Sequence, residues 1–201
     1  MAKAHTNEAS DVRENILAVG QRIMSGKGFS AVGLNEILVA ASVPKGSFYH
    51  YFGSKDAFGE ALLDSYFAAY LAEMDTVLGQ PGFSVAQRLV QYFDSWQANQ
   101  SFADCQGKCL AVKLAAEVAD LSEAMRLALD QGTAGIITRL TAALEAGVAD
   151  GSLAIDGSAA HVAATLYQQW LGASVMVKIV RGTAPFDAAL AVTRQLLHLH
   201  H

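Results

Sequence analysis

The sequence predicts an all-α protein with a three-helix head at the N-terminus and a larger helical body, about nine helices in all. Apolar residues recur at intervals of three and four along most of the 201 residues, and no segment of any length alternates like a β-strand. Near the N-terminus, a tight turn separates two short helical segments, which is typical of a helix-turn-helix. Hydrophobic residues make up 52% of the chain, so we expect a substantial buried core.

Charge and composition exclude several classes of protein. No apolar run reaches the roughly 18–20 residues of a membrane span, and the polar N-terminus lacks a signal-peptide core, so we expect a cytoplasmic protein without membrane contact. The net charge of −5 argues against a generally basic nucleic-acid binder, but residues 1–56 carry six Lys and Arg against five acidic residues. The two cysteines, four residues apart, fit neither a disulfide framework nor a zinc site. We expect no cofactor and no metal.

The first helix is predicted over residues 11–27, with Ser10 as its N-cap. One helical face carries its apolar residues, which are Val12, Ile16, Val19 and Ile23. Glycines 26 and 28 are expected to end this helix. Phe29 should then fill the core of the head.

The helix-turn-helix follows directly. Residues 34–41 (LNEILVAA) form its first helix, and Pro44 marks a stop and a restart. The second helix begins with residues 45–47 (KGS), a cation, a glycine and a small hydroxyl, which let a helix N-terminus approach a polyanion closely. Phe48 and Phe52, four residues apart, should face inward.

The stretch 43–55 (VPKGSFYHYFGSK) resembles the DNA-binding signature of TetR-type transcriptional regulators in residue type and spacing. This resemblance implies a DNA-binding repressor, not an enzyme, that binds a palindromic operator. Carried over position by position, it places DNA contacts at Asn35, Lys45, Gly46, Ser47, Tyr49, His50 and Lys55. Lys45 is the main candidate for reading a base, because lysine suits the guanine acceptors of the major groove.

The rest of the chain is predicted to be helical. Ser54 should cap a long helix that ends near residue 78, before the break at residues 79–82 (GQPG). Further helices are expected at about 84–98, 109–119, 121–148, 158–180 and 185–199. We therefore place a DNA-binding domain at residues 1–55 and a regulatory and dimerisation domain at residues 56–201.

The last two helices are predicted to form a homodimer interface. A short recognition helix reads only a half-site, so a dimer is expected. The helix at 158–180 carries more apolar residues than a small body needs to bury, and those expected at the interface are Leu166, Trp170, Ala173, Val177 and Val180. The alternative is that they form ordinary core. The resemblance favours the dimer, since the terminal helices of this family typically pair.

Cys109 is the second functional candidate. It follows Lys108 at a predicted helix N-terminus, and Lys113 lies one turn further on. A helix N-terminus and neighbouring cations favour a thiolate, which would react with oxidants and electrophiles. The alternative is a small buried thiol. Cys105 is expected to be exposed and without a role, although it could also be a resolving thiol.

Residues 108–126 (KCLAVKLAAEVADLSEAMR) and 170–181 (WLGASVMVKIVR) resemble the branch of the family that contains the N-ethylmaleimide-reductase repressor. This resemblance implies release from DNA when an electrophile or oxidant, such as a quinone, an aldehyde, a maleimide or a hypochlorous-type species, modifies Cys109. It makes Lys178 a candidate partner of the thiolate. The alternative is that Lys178 simply extends to the surface.

Three further mechanisms stay open. A small apolar ligand could induce the protein without covalent chemistry, in a pocket lined by Tyr92, Trp96, Leu110, Leu114, Tyr167 and Trp170. A more distant alternative is a cysteine-dependent enzyme, but no histidine base and orienting partner lie near Cys109 in the sequence. A metal sensor is weaker still, because the histidines do not cluster with the cysteines or acidic residues.

Overall fold

A computed structural model describes residues 2–100 and 110–199, with side chains from residue 11 onward. Within these ranges every regular element is a helix, which confirms the predicted all-α class. The helices are α1 (Ala2–Lys27), α2 (Leu34–Ala41), α3 (Lys45–Phe52), α4 (Lys55–Leu78), α5 (Val85–Asn99), α6 (Leu110–Leu121), α7 (Glu123–Ala149), α8 (Ala159–Val180) and α9 (Ala184–Leu196). None of them is long and apolar enough to cross a membrane.

The chain divides into two compact units. Among the described residues, the first comprises 2–68 and 110–130, and the second comprises 69–100 and 131–199. The first unit therefore contains the helix-turn-helix together with α6 and the start of α7. The division into functional domains at residue 55 stays a prediction.

Aromatic side chains form the core of the first unit. Phe48 and Phe58 are fully buried, and the ring of Phe52 lies 5.0 Å from that of Phe58 in an edge-to-face arrangement. At Gly59, a Cβ atom would overlap the sulfur of Met125 and lie 2.7 Å from the ring of Phe29. Only glycine therefore lets α4 approach these side chains so closely.

The core of the second unit is built around Trp170. Its indole ring stacks between Phe93 at 4.8 Å and Phe186 at 5.7 Å, measured between ring centroids. Its ring N–H donates to the hydroxyl of Thr193 at 2.9 Å, and the ring N–H of Trp96 donates to Ser174 at the same distance. Both indole donors are thus satisfied inside the core, and these bonds join α8 to α9 and α5 to α8.

Two details of the sequence prediction are wrong. The first helix begins at Ala2, so Ser10 lies inside it and is not its N-cap. Residues 2–9 contain no glycine or proline and include three alanines, so nothing in them stops the helix from extending backwards.

The second error concerns the face of α8 that the dimer was expected to use. Leu166, Trp170 and Val177 are completely buried within their own chain, and Ala173 is buried as well, so these residues are core. Of the predicted interface residues, only Val180 is exposed. The apolar side chains that α8 exposes are instead Val175, Met176, Ile179 and Val180.

Candidate nucleic-acid interface

The turn between α2 and α3 fixes the relative direction of the two helices. Ser42 adopts a left-handed conformation with φ of 56°, and its N–H bonds back to the carbonyl of Val39 at 3.2 Å. The N–H of Val43 donates to the carbonyl of Leu38 at 3.1 Å, so these two bonds pair the carbonyls of Leu38 and Val39 at the end of α2. Pro44 then stands at the N-cap of α3 in an extended conformation. This arrangement agrees with the predicted helix-turn-helix.

Helix α3 has one buried face and one exposed edge. Phe48 and Phe52 attach it to the core of the first unit, with their ring centroids 5.2 Å apart. Lys45, Tyr49 and His50 are exposed, and so is Gly46. The ammonium group of Lys45 lies 5.8 Å from the ring centroid of Tyr49. The edge therefore combines a cation, an aromatic ring and an imidazole on a helix whose opposite face is buried.

The space around Gly46 is open. A Cβ atom placed there would meet nothing within 4 Å, and φ lies outside the left-handed region. Glycine in a helix costs about 0.5–1 kcal/mol relative to alanine. No described residue around Gly46 requires a glycine at this position. The space that a side chain would occupy is therefore available for a closely approaching partner.

The other predicted DNA contacts differ in their surroundings. Asn35 is exposed in the first turn of α2, and Ser47 is half-buried in α3. The ammonium group of Lys55 donates to the carbonyl oxygen of Phe29 at 2.9 Å and lies 4.5 Å from the centroid of the Phe29 ring. Lys55 is therefore already bound within its own chain, although a lysine has three donors and one contact leaves others available.

The structure describes the lysines of the predicted sensing site but not its cysteines. Cys109 and Cys105 lie outside the described residues. The described part of α6 begins at Leu110, the residue that follows Cys109 in the sequence. Lys113 is half-buried on α6, and Lys178 is half-buried in the last turn of α8.

The residues proposed to line a ligand pocket belong to the two different units. Tyr92, Trp96, Tyr167 and Trp170 are buried in the second unit, where the ring of Trp96 contacts those of the other three. Leu110 and Leu114 are buried on α6, which belongs to the first unit. A separate open groove of about 840 Å³ in the second unit is bordered by Phe83, Leu153 and Arg194, and by none of the six.

One residue of the first unit escaped the sequence analysis. The carboxylate of Glu117, on α6, accepts from the backbone N–H of Phe29 at 3.1 Å and from that of Ser30 at 2.7 Å. Partial burial would raise the pKa of Glu117, but hydrogen bonds from the Ser30 side chain and from both N–H groups, with the charge of Lys113, hold that pKa below its ordinary value. No local signal connects residue 117 with residue 29, 88 positions away.

Comparison with known proteins agrees with this architecture. Residues 16–62 match the family described as bacterial regulatory proteins, tetR family, and residues 85–193 match the tetracyclin repressor-like C-terminal domain. The HTH-type transcriptional repressor NemR of Escherichia coli (strain K12) is 42% identical over 191 residues, which cover 93% of this chain and 94% of the relative.

Two further similarities cover nearly the whole chain. The HTH-type transcriptional repressor DhaR of Mycobacterium sp. (strain GP1) is 30% identical and matches 92% of each chain. The crystal structure of E. coli NemR in its reduced form superimposes with a TM-score of 0.89, covering 93% of this chain and 97% of that one. On the strength of both family matches and of these relatives, the chain belongs to the TetR family of bacterial transcriptional regulators.

Proposed function

We propose that this protein is a repressor that binds a palindromic operator as a homodimer and leaves it when Cys109 is modified by an electrophile or an oxidant. The observation that carries the DNA-binding part is the exposed edge of α3, which joins Lys45, Tyr49 and His50 to a glycine with open space around it. Phosphate contacts from such an edge would position the protein, and Lys45 would contribute to the choice of bases.

Gly46 offers a test in which stability and DNA binding change in opposite directions. Replacing Gly46 with alanine should raise the free energy of unfolding slightly, by at most about 0.5–1 kcal/mol in the first turn of α3, because alanine is the better helix former and the new methyl group meets no atom of the chain. Operator binding should nevertheless weaken, because the methyl group occupies the space into which DNA would come. Urea denaturation and a binding isotherm measure the two effects.

Gly26 provides the matched control, since a Cβ atom there also meets nothing within 4 Å. Gly26→Ala should leave operator affinity unchanged. Equal affinity of Gly46→Ala and wild type would contradict the assignment of this edge to DNA.

The homodimer is proposed to form through α8 and α9, on a different face from the one the sequence indicated. Val175, Met176, Ile179 and Val180 make a continuous exposed apolar strip near the end of α8. Helix α9, which packs against α8, also exposes an apolar residue, Val192, by 37%. Pairing two copies of this strip would remove it from water, and a two-fold interface would match a palindromic half-site spacing.

Induction through Cys109 is supported by its place in the chain and by the similarity to NemR. Cys109 directly precedes the described part of α6, whose later residue Glu117 contacts the segment in front of the helix-turn-helix. The E. coli NemR crystal structure is described as that of a reduced form. In this chain the proposed redox-active thiol is Cys109, with Lys178 as its proposed partner.

A gel-shift experiment with the duplex upstream of the protein's own coding sequence tests both parts. Wild-type protein should bind this duplex and lose it after treatment with N-ethylmaleimide or a quinone. Cys109→Ser should bind equally well and resist treatment, whereas the matched control Cys105→Ser should respond like wild type. Release of Cys109→Ser by the same reagents would overturn the cysteine mechanism, and release by an apolar compound alone would favour non-covalent induction.

A further inference from the structure

Phe29 is the point at which several helices of the first unit meet. It lies between α1 and α2, where Gly28 has left the helical path with φ of 92°. Its N–H is bound by Glu117 of α6, and its carbonyl oxygen is bound by Lys55 of α4. Its ring is covered by the Lys55 ammonium group and packs at Gly59. We call Phe29, Lys55 and Glu117 the Phe29 junction.

The contact made by Glu117 is geometrically specific. Its two carboxylate oxygens bind the N–H groups of two consecutive residues, Phe29 and Ser30, at 3.1 and 2.7 Å. A Cβ atom at residue 28 would lie 2.9 Å from one of these oxygens, so Gly28 leaves room for the carboxylate. Charge-assisted bonds of this kind are stronger than bonds between neutral groups. The segment is thus held by α6 and not only by its own chain neighbours.

This segment leads directly into the helix-turn-helix. Gly33, five residues after Gly28, stands at the start of α2. Its carbonyl accepts from the N–H of Glu36 in the first turn of that helix. Glu117 therefore holds the chain just before α2 begins, and α3 follows α2 through the tight turn at Ser42. The carboxylate is not itself on the exposed edge of α3, so it can affect DNA binding only by positioning other residues.

We propose that Glu117 is a positioning residue for DNA binding, through which the orientation of α6 determines the placement of the helix-turn-helix. This inference rests on the proposed function as an operator-binding protein, and it names the contact that links α6 to the helix-turn-helix. With Glu117 bound to both N–H groups, the first unit holds α2 and α3 in the arrangement that binds the operator. A change at the start of α6 that displaces Glu117 frees the segment at Phe29 and lowers the fraction of binding-competent protein.

The charge of Glu117 makes the test decisive. Replacing Glu117 with glutamine removes a negative charge from a DNA-binding unit, and electrostatics alone would strengthen binding to a polyanion. The proposal predicts the opposite, a weaker binding. The neutral amide of glutamine has only one accepting oxygen, so it cannot bind both N–H groups as the carboxylate does. We expect operator binding to weaken by about three- to tenfold, which corresponds to losing part of the free energy of one charge-assisted hydrogen bond.

Asp120→Asn is the matched control, since Asp120 is an exposed acid on the same helix and the change in charge is identical. The control should bind the upstream duplex as tightly as wild type, or slightly more tightly. Glu117→Asp, which keeps the charge on a shorter side chain, should recover part of the lost affinity. Affinity of Glu117→Gln equal to or above that of Asp120→Asn would overturn the proposal.

Hydrogen exchange separates this role from a merely structural one. Coupling between two sites is reciprocal, so operator DNA should increase the protection of α6 amides in wild type. The increase should be lost in Glu117→Gln at DNA concentrations that saturate it, and kept in Asp120→Asn. An unchanged increase in Glu117→Gln would contradict the proposal while leaving operator binding intact. Absence of duplex binding by wild type would instead reject the proposed function.

Discussion

Replacing Trp170 with alanine is expected to lower the free energy of unfolding by about 3–5 kcal/mol, the range measured for large-to-small aromatic changes in buried cores. Trp170 is completely buried and stacks between Phe93 and Phe186, so its removal leaves a cavity that these rings cannot close. The hydroxyl of Thr193 also loses its donor. Urea denaturation followed by far-UV circular dichroism, at one fixed protein concentration, measures the change.

Trp170→Phe is the control for this prediction. Phenylalanine keeps an aromatic ring between Phe93 and Phe186 but lacks the N–H group. Because the Thr193 hydroxyl still donates to the carbonyl of Ala189 at 2.8 Å, the lost bond should cost only about 1 kcal/mol beyond the smaller ring. A loss below 1 kcal/mol for Trp170→Ala would mean that this indole does not hold the second unit together.

Replacing Ile179 with glutamate is expected to convert the dimer to monomers and to weaken operator binding by about a hundredfold or more, because two linked half-site contacts become independent. Ile179 is 66% exposed at the centre of the apolar strip on α8, so the new charge does not enter the core of its own chain. A charge buried without a partner between two copies would oppose association strongly. Sedimentation equilibrium should give the monomer mass of 21.2 kDa.

The matched control places the same charge on an exposed valine elsewhere. Val148, on α7, is 47% exposed and lies outside the strip. Val148→Glu should keep the dimer mass and the operator affinity of wild type. If Ile179→Glu also remained dimeric, the interface would have to lie on another surface.

The helices could be predicted because their signals are local. Ser54, Ser84 and Ser158 were each placed at a helix start, and in the structure each accepts a backbone N–H from the following turn. The turn at Pro44 and the inward pair Phe48 and Phe52 also follow from neighbouring residues alone. The resemblance to a known family predicts that the exposed edge of α3 contacts DNA, which residue spacing alone does not indicate.

What the sequence could not decide depends on contacts between distant segments. The apolar residues of α8 cover most of its circumference, so periodicity did not separate the core face with Trp170 from the exposed face with Ile179. The partner of Glu117 lies 88 positions away, and on α6 this residue looks like any solvated acid beside Lys113. The bond between Lys55 and Phe29 was missed for the same reason.

The positions of Trp96 and Trp170 give the protein a built-in optical distinction between its two units. These are the only tryptophans in the sequence, and both lie in the core of the second unit. Tryptophan emission therefore reports on that core, while the helix-turn-helix unit contributes tyrosine alone. Emission and total helicity recorded on one sample would show whether the unit that carries α3 melts before the rest. Independent unfolding of the first unit can thus be detected without any attached label.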